Sequence, residues 1–334
     1  MNSQLARSTP HPSPKRWEIA VRRERKRLAV DRRLGGRVDT SLYAHLRQSA
    51  AANGRSIAGQ LLHVANHRLE ARRLSKRLMR PMPDVGVRQD FRVDSRHCDL
   101  DRHPELTPIV INNFNRLDYL RRLVAALNCR GYENVYVIDN NSDYEPLLEY
   151  YEHSGLRVFR LDRNVGYLSM WTTPIGMDFV DSYYVYTDAD IEPVEECPDD
   201  FVSHFRDVLS RYSWVHKVGF GLKIDDLPST YDLRSEVVEH ERQFERHPVE
   251  PGLYRAPIDT TFALYRPGAA GGCWLRSMRT GWPYLARHLP WYCDSSCIDE
   301  EEAHFRRTAQ TSTHWTSQAS DESASAPNDH GESV

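Results

Sequence analysis

The chain is poor in the features that mark membrane-spanning and disulfide-rich proteins. Its 334 residues include 6 cysteines, spread from Cys98 to Cys297. Cysteines this sparse exclude a dense disulfide framework. No stretch approaches the ~18 consecutive apolar residues that a membrane helix needs. Prolines at positions 10, 12 and 14 interrupt the place where the apolar core of a secretory signal would lie. We therefore expect a soluble, cytoplasmic protein.

A large net charge is also absent, because 44 Lys and Arg residues oppose 47 Asp and Glu residues. The balance hides an uneven distribution. Residues 1–90 contain 20 basic and 7 acidic side chains, a net charge of about +13, whereas the remainder carries about −16. This division predicts two regions with different partners. The basic region would suit an anionic surface, such as the inner face of a membrane.

The N-terminal basic region is expected to be small and mainly helical. We predict a disordered or helical basic arm over residues 1–34 and a folded unit over 35–76. Residues 38–42 alternate like a short strand, Asn53-Gly54 is typical of a helix end, and Ser56 suits the start of a second helix. Residues 37–69 thus resemble the ribbon-helix-helix fold of Arc-like repressors, and a generic helical hairpin fits equally well. The ribbon-helix-helix alternative implies a homodimer, with DNA as the weaker expectation because of Asp39.

Two further segments lack any apolar periodicity. Residues 77–105 are rich in Pro, Arg and Asp, which predicts a linker. Residues 317–334 are low in apolar side chains, which predicts a disordered tail.

Residues 106–316 have the alternating strand and helix patterns of an α/β domain. Short apolar runs alternate with helical patterns, which predicts right-handed crossovers and a mostly parallel, Rossmann-like sheet covered on both faces. The expected strands lie at residues 108–111, 135–138, 157–160 and 183–186, with helices at 116–127 and 146–151. Because ligands of such sheets bind beyond the carboxyl ends of the strands, the polar clusters that follow the strands are candidate binding residues.

The acidic pair at the end of the fourth expected strand is the clearest chemical signal. YYVYTDAD delivers Asp188 and Asp190, one residue apart, to the edge of the sheet. Two carboxylates this close repel each other unless a cation lies between them. Mg²⁺ and Mn²⁺ prefer oxygen ligands and often share them with substrate phosphates. The pair therefore predicts a divalent-cation site that also contacts a diphosphate.

Four motifs in order resemble the nucleotide-binding half of family 2-like GT-A glycosyltransferases. They are PIVINNFNRLDYLRRLVAAL, VYVIDNNS, LDRNVGY and YYVYTDAD. The resemblance implies that Asp139 binds the base of a nucleotide-sugar donor, with Asn112 and Arg116 nearby. It also implies that the loop of Arg163, Asn164 and Gly166 faces the nucleotide, and that Asp188 contacts the donor.

The resemblance weakens downstream, where the family's Glu-Asp pair that supplies the catalytic base is missing. Asp259, just before an apolar run, is our first candidate for the base. Asp225 and Asp226 are the rivals, with acceptor orientation as their alternative role. A histidine from the C-terminal part completes the metal shell in some GT-A enzymes, and His288 and His314 are the candidates here.

The sequence as a whole therefore predicts a metal-dependent glycosyltransferase. We expect transfer of a sugar from a nucleotide-diphosphate donor to a saccharide or lipid-linked hydroxyl, with inversion, in cell-surface polysaccharide or glycoconjugate synthesis. One alternative is a nucleotidyltransferase, although the Gly-rich, Lys-containing loop usual after its first strand is missing. Another is a DNA-binding regulator with a degenerate enzyme domain, against which the retained Asp188 and Asp190 argue.

Overall fold

The computed structural model describes residues 85–93, 103–269, 271 and 276–309. The predictions for residues 1–34, 35–76 and 317–334, and for a dimer through 37–69, lie outside these residues. So does the candidate His314. Within the described part of the chain, no helix is long and apolar enough to cross a membrane.

The described residues form an α/β fold around one mixed sheet of eleven strands. The strands are β1 (Val87–Arg88), β2 (Ile109–Asn113), β3 (Val135–Asp139), β4 (Arg157–Leu161), β5 (Tyr184–Asp188), β6 (Ile191–Pro193), β7 (Lys217–Leu222), β8 (Pro248–Glu250), β9 (Leu253–Tyr254), β10 (Ala263–Tyr265) and β11 (Ser277–His288). The α-helices of this part are α1 (Asp118–Asn128), α2 (Glu145–His153), α3 (Ser169–Thr172), α4 (Phe201–Arg211), α5 (Arg234–Arg242) and α6 (Glu300–Thr308). Short 3₁₀ turns occupy Pro104–Leu106, Pro174–Asp178, Gln243–Glu245 and Leu289–Tyr292.

The first half of the sheet is parallel, as the sequence predicts. Strands β4, β3, β2 and β5 lie side by side and run parallel. Beyond β5 the sheet becomes mixed, because β10 enters antiparallel between β5 and β7. Strand β11 then pairs parallel with β7 and antiparallel with β6 and β9. The sheet is therefore less parallel than expected. Four of the strands after β5, namely β6, β8, β9 and β10, have only two or three residues. Antiparallel pairs also fall outside the crossover rule for parallel strands, so that rule could not order them.

Both faces of the central strands are covered, as β-sheet periodicity requires. On one face, Ile111 and Val185 pack with Leu123 of α1 and with Phe201 of α4. The opposite face of β3 and β5 packs against α3 and the following 3₁₀ turn, through a second set of buried side chains: Tyr136, Ile138, Tyr184, Tyr186, Trp171, Ile175 and Phe179. Burial on both faces explains why these strands read as almost continuous apolar runs.

Helix α1 shows how the sequence pattern sets the packing. Leu120, Leu123, Val124 and Leu127 recur at helical spacing, and all four are buried against the sheet. The helix begins at Asp118, two residues later than the sequence pattern indicates. Asn115, in the turn between β2 and the helix, adopts a left-handed conformation with φ 51°.

Part of the segment predicted as a linker joins the sheet. Strand β1 pairs antiparallel with β4, and the ring of Phe91 packs edge-on against Phe159 at 4.8 Å. A two-residue strand is too short to produce a sequence period. Residues 85–93 thus extend the edge of the sheet beyond β4.

Candidate active site

The carboxyl ends of β2, β3 and β5 bring the predicted polar clusters together. Asn112 lies opposite Asp188 in the β2–β5 register, and Asn113 lies opposite Asp139 in the β2–β3 register. Parallel strands end at the same edge of a sheet, so residues far apart in sequence meet there. The polar edge predicted from the sequence is present.

Asp188 is fixed at this edge by two side chains. The amide of Asn112 donates to Asp188 Oδ1 at 3.2 Å, and the hydroxyl of Thr260 donates to Asp188 Oδ2. Burial and the neighbouring charge of Asp190 together raise the pKa of Asp188 well above its ordinary value. This carboxylate is therefore oriented, and its charge is destabilised by its surroundings.

Asp190 lies beside His288, which is one of the two histidines proposed from the sequence. Asp190 Oδ2 is 3.5 Å from His288 Nε2. Burial raises the pKa of Asp190, but the charges of His288 and Arg116 and hydrogen bonding to Asp190 more than offset this, so its pKa is lowered. Two buried polar atoms here have no hydrogen-bond partner within the described structure, namely Asp190 Oδ1 and His288 Nδ1. Buried polar atoms are normally satisfied, so an unsatisfied carboxylate oxygen suits a cation ligand.

The acidic pair does not form a complete metal site from protein groups alone. Among the described residues, no three His, Cys, Asp or Glu side chains are grouped closely enough to hold a metal ion. Mg²⁺ and Mn²⁺ often take only one or two carboxylates and fill the remaining positions with water and substrate phosphate. Asp188 and Asp190 fit that kind of site, and the role of His288 as a direct ligand stays a prediction.

A network of amides connects the acidic pair to the predicted nucleotide loop. The side-chain oxygen of Asn112 accepts hydrogen bonds from Asn140 Nδ2 and Ser169 Oγ, each at 2.6 Å. Asn140 in turn accepts from the backbone N–H of Val165 at 3.1 Å and donates to the carbonyl of Gly166 at 3.2 Å. The loop that begins at Arg163 is thus held against the ends of β2 and β3.

Within that loop, Arg163 is exposed and Asn164 accepts a hydrogen bond from the backbone N–H of Gly166 at 2.8 Å. Gly166 has φ +80°, and a Cβ placed there would meet no atom within 4 Å. The left-handed backbone, and not internal packing, therefore accounts for the glycine. The open space beside it leaves the backbone accessible to a ligand.

Asp139, the predicted base-binding residue, is fully buried, and both oxygens of its carboxylate contact protein groups. Arg160 Nε lies 3.1 Å from Asp139 Oδ2, which also accepts from the backbone N–H of Ser142 at 3.2 Å. The hydroxyl of Tyr151 donates to Oδ1 at 3.3 Å. Burial raises the pKa of Asp139 despite these contacts. In this structure the carboxylate fastens the end of β3 to α2 and β4, and its contact with a base stays a prediction.

Arg116 is also buried, with 7% of the residue exposed, and lies under α6. Its guanidinium pairs with Glu302 and stacks over the ring of Phe305 at 3.6 Å. The adjacent Glu301 accepts from the backbone N–H groups of Leu117 and Asp118, at 2.9 and 3.0 Å. Helix α6 is therefore fastened to the start of α1 by two carboxylates, and the predicted donor contact of Arg116 stays a prediction.

Replacing Glu302 with Ala should lower the free energy of unfolding by about 3 kcal/mol, because it leaves the buried Arg116 charge unpaired. The matched control is Glu300→Ala, an exposed carboxylate on the same helix, with an effect below about 1 kcal/mol. Urea denaturation of both variants measures the difference. Equal stabilities for the two would show that α6 does not depend on the Arg116–Glu302 pair.

A cavity of about 200 Å³ opens beside Asp188 and contains the predicted catalytic base. Asp188, Asp259 and His288 all line it. Its other lining residues come from β6, β7, α5, the 3₁₀ turn after α5, the chain before β10, β11 and the 3₁₀ turn after β11: Ile191, Leu222, His240, Glu241, Phe244, Pro257, Thr261, Arg279 and Trp291. The structure thus brings the metal-side and acceptor-side candidates into one space.

Asp259 is open to this cavity but strongly held on one oxygen. Its Oδ1 accepts hydrogen bonds from the Thr261 hydroxyl at 2.6 Å and from the Thr261 N–H at 3.0 Å. Surrounding protein raises the pKa of Asp259, but these bonds and the charges of Arg279 and Lys217 outweigh that effect and lower it. A carboxylate that serves as a general base usually has a raised pKa. Asp259 is instead an ionised carboxylate at neutral pH, and it precedes strand β10 by four residues.

The rival carboxylates lie in a separate ionic cluster. Asp225 pairs with Lys223 at 2.8 Å. Asp226 binds Arg287 at 2.7 Å and accepts from the hydroxyl of Tyr292 at 2.6 Å. Burial raises the pKa of Asp226, but these bonds and charges lower it overall. Both oxygens of Asp226 are therefore occupied, which favours a positioning role over proton abstraction.

Several residues of the site were not selected from the sequence, and Asn140, Glu241 and Arg279 are three of them. Asn140 links Asn112 to the nucleotide loop, and its position directly after β3 could have indicated this. Glu241 and Arg279 form an ion pair at 2.6 Å with side chains only 8% and 7% exposed. The two residues are 38 positions apart, and no motif surrounds either of them, so the sequence alone does not indicate that they pair.

Comparison with known proteins gives no family match and a weak structural similarity. No family model matches the chain, and no curated protein matches it. Among solved structures, it is similar to the crystal structure of TarS 1–349 from S. aureus, with a TM-score of 0.31 and 11% sequence identity. The match covers 55% of this chain and 60% of the TarS chain, so it spans less than two thirds of that structure. A similarity this low in TM-score and identity supports no statement about the chemistry of the site.

Proposed function

We propose that this chain is a GT-A glycosyltransferase that moves a sugar from a nucleotide-diphosphate donor to a hydroxyl group, with a divalent cation and with inversion. One observation carries the proposal. The end of β5 places Asp188 and Asp190 next to a cavity that also holds Asp259. This reaction requires two functions, binding of a cation and removal of a proton from the acceptor hydroxyl. The carboxylate pair would serve the first and the separate carboxylate of Asp259 the second.

On the donor side, the residues provide orientation and polar contacts. Asn112 holds Asp188, and Asn140 holds the loop from Arg163 to Gly166. Arg163 is exposed and available for phosphate charge, and the accessible backbone at Gly166 permits close approach. A bound divalent cation would supply positive charge to the diphosphate as it leaves. Asp188 and Asp190 would hold that cation.

On the acceptor side, Asp259 would accept the proton of the attacking hydroxyl. The acceptor oxygen then forms a bond to the anomeric carbon while the bond from that carbon to the diphosphate breaks. Both hydrogen bonds that Thr261 donates go to Asp259 Oδ1. Asp259 Oδ2 therefore stays available to the acceptor hydroxyl. A carboxylate with a lowered pKa is a weak base. The contribution of Asp259 to the rate would therefore come mainly from its position beside the acceptor hydroxyl.

The proposed partners follow from this chemistry and from the sequence. The donor is a nucleotide sugar, and the acceptor is a saccharide or lipid-linked hydroxyl in polysaccharide or glycoconjugate synthesis. Association with an anionic membrane surface, a homodimer and DNA contact all concern the basic region outside the described residues. They remain predictions from charge and motif.

A donor screen tests the proposal directly. The full chain is incubated with UDP-, GDP-, CDP- and dTDP-sugars, with Mn²⁺, with Mg²⁺ or with excess chelator, and release of the nucleotide is measured. Release of nucleoside diphosphate that depends on metal supports the proposal. Release of pyrophosphate from a nucleoside triphosphate with a sugar phosphate would instead identify a nucleotidyltransferase. No turnover of any of these substrates would overturn the proposal.

A further inference from the structure

The cavity beside Asp259 combines apolar walls with an unusual charge distribution. Five of its lining residues are apolar: Ile191, Leu222, Phe244, Pro257 and Trp291. The remaining walls are polar and include carboxylates and imidazoles. A sugar ring has the same division, because its C–H faces are apolar and its edge carries hydroxyl groups, and aromatic side chains pack well against such faces. The volume of about 200 Å³ is small and suits one ring.

Carboxylates outnumber guanidinium groups among the described lining residues of the cavity. Asp188, Glu241 and Asp259 contribute three carboxylates, and Arg279 is the one guanidinium among the described lining residues. Arg279 donates to Glu241 at 2.6 Å, and its Nε donates to the carbonyl of Pro257 at 2.8 Å. Its guanidinium also lies over the ring of Phe244, 3.9 Å from the centroid. The guanidinium of Arg279 is therefore already bound to groups of the protein.

We infer that this cavity binds the acceptor as an uncharged sugar ring, and that Glu241 excludes rings that carry a carboxylate or phosphate. The inference rests on the proposed function and names its acceptor. Glu241 neutralises Arg279, which would otherwise attract an anion. An acidic ring would then lie beside the ionised carboxylate of Asp259, and the one guanidinium of the described lining is already paired with Glu241. Juxtaposed like charges oppose binding.

A matched pair of acceptors provides the test. p-Nitrophenyl glucoside and glucuronide differ only at C6, as a hydroxymethyl group or a carboxylate, and the galactoside and galacturonide form a second pair. With a donor found in the screen, acceptor-stimulated nucleotide release gives kcat/KM for each compound. We expect the neutral member of a pair to be preferred by at least about tenfold, as like-charge repulsion at close range requires.

The variant Glu241→Gln should retain the hydrogen bond to Arg279 but uncover its charge. We expect the preference for the neutral acceptor to fall by at least about tenfold, because the guanidinium can then attract an anion. Glu239→Gln, an exposed neighbour on α5, should leave the preference unchanged. Thermal unfolding checks that both variants fold. If Glu241→Gln does not fold, the wild-type preference alone still decides whether acidic rings are excluded.

The outcomes separate the inference from the proposed function. Equal or better use of the glucuronide or galacturonide by the wild-type protein would overturn the inference. So would an unchanged preference in a folded Glu241→Gln variant, or donor hydrolysis that no sugar stimulates. In each of these cases the metal-dependent release of nucleotide still stands. Only the absence of release with every donor would remove both.

Discussion

Replacing Asp190 with Asn is expected to reduce turnover by on the order of 10³-fold. The amide preserves the size of the side chain but removes its charge. Asp190 Oδ1 is buried without a hydrogen-bond partner within the described residues, so no protein contact is lost at that atom. The predicted loss arises because the cation that would stabilise the leaving diphosphate loses a ligand.

The measurement is nucleotide release at saturating Mn²⁺, together with Mn²⁺ affinity from calorimetry. The matched control is Asp181→Asn, an exposed carboxylate near the opposite end of β5, which should retain wild-type turnover and affinity. Turnover of Asp190→Asn within about tenfold of wild type would be too small a loss for a metal ligand. The acidic pair would then have a structural role at the end of β5.

Asp259→Asn is expected to abolish transfer while leaving donor binding intact. A positioned general base contributes on the order of 10²–10⁴-fold, so transfer should fall by a factor in that range. Calorimetry should give unchanged affinity for the nucleotide diphosphate and Mn²⁺, because the Asp188–Asp190 pair is retained. Full transfer activity in the variant would contradict the assignment and direct attention to Asp225 and Asp226.

The pH dependence of transfer follows from the lowered pKa of Asp259. A base acts in its deprotonated form, so activity is lost as the pH falls through its pKa. Since the carboxylate has a pKa below its ordinary range near about 4, Asp259 should cause no loss of kcat/KM between about pH 8 and pH 5. A loss centred near about pH 6 in the wild-type protein, and absent from the residual activity of Asp259→Asn, would show that the base has a raised pKa in the working enzyme.

The sequence predicted the first half of the fold well because its strands are buried on both faces and alternate with amphipathic helices. The observed bounds of β2 to β5 lie within two residues of those expected. Beyond β5, strands such as β8, β9 and β10 have only two or three residues, and their order in the sheet depends on tertiary contacts. Periodicity carries no information on those contacts.

The site was predictable to the extent that strand ends determine it. Asn112 and Asp188 lie where the motifs indicate, and His288 lies beside Asp190. What the sequence could not indicate is burial. Asp139 and Arg116 have the right residue types for ligands, but Arg160 and Glu302 occupy their polar groups inside the fold. Partners separated by 21 and 186 residues become visible only when the chain is folded.

The pairing of strand β11 with β7 is interrupted by a protrusion, which is a place where this protein can be re-engineered. Thr280 pairs with Phe220 and Leu285 with Gly221, so four residues of β11 protrude between two adjacent residues of β7. The hydroxyl of Thr280 donates to the carbonyl of Tyr284 at 2.7 Å and closes the base of this protrusion. Its tip carries Trp282, which is 60% exposed.

Residues before and after the protrusion reach the same cavity, since Arg279 precedes it and His288 follows it. A change of length at the tip is absorbed outside the ladder, and the pairing on each side stays in register. The protrusion is therefore a site where loops of different length and composition can be inserted at the rim of the fold. A library built there would vary the exposed surface of the protein while Arg279 and His288 keep their places in the cavity.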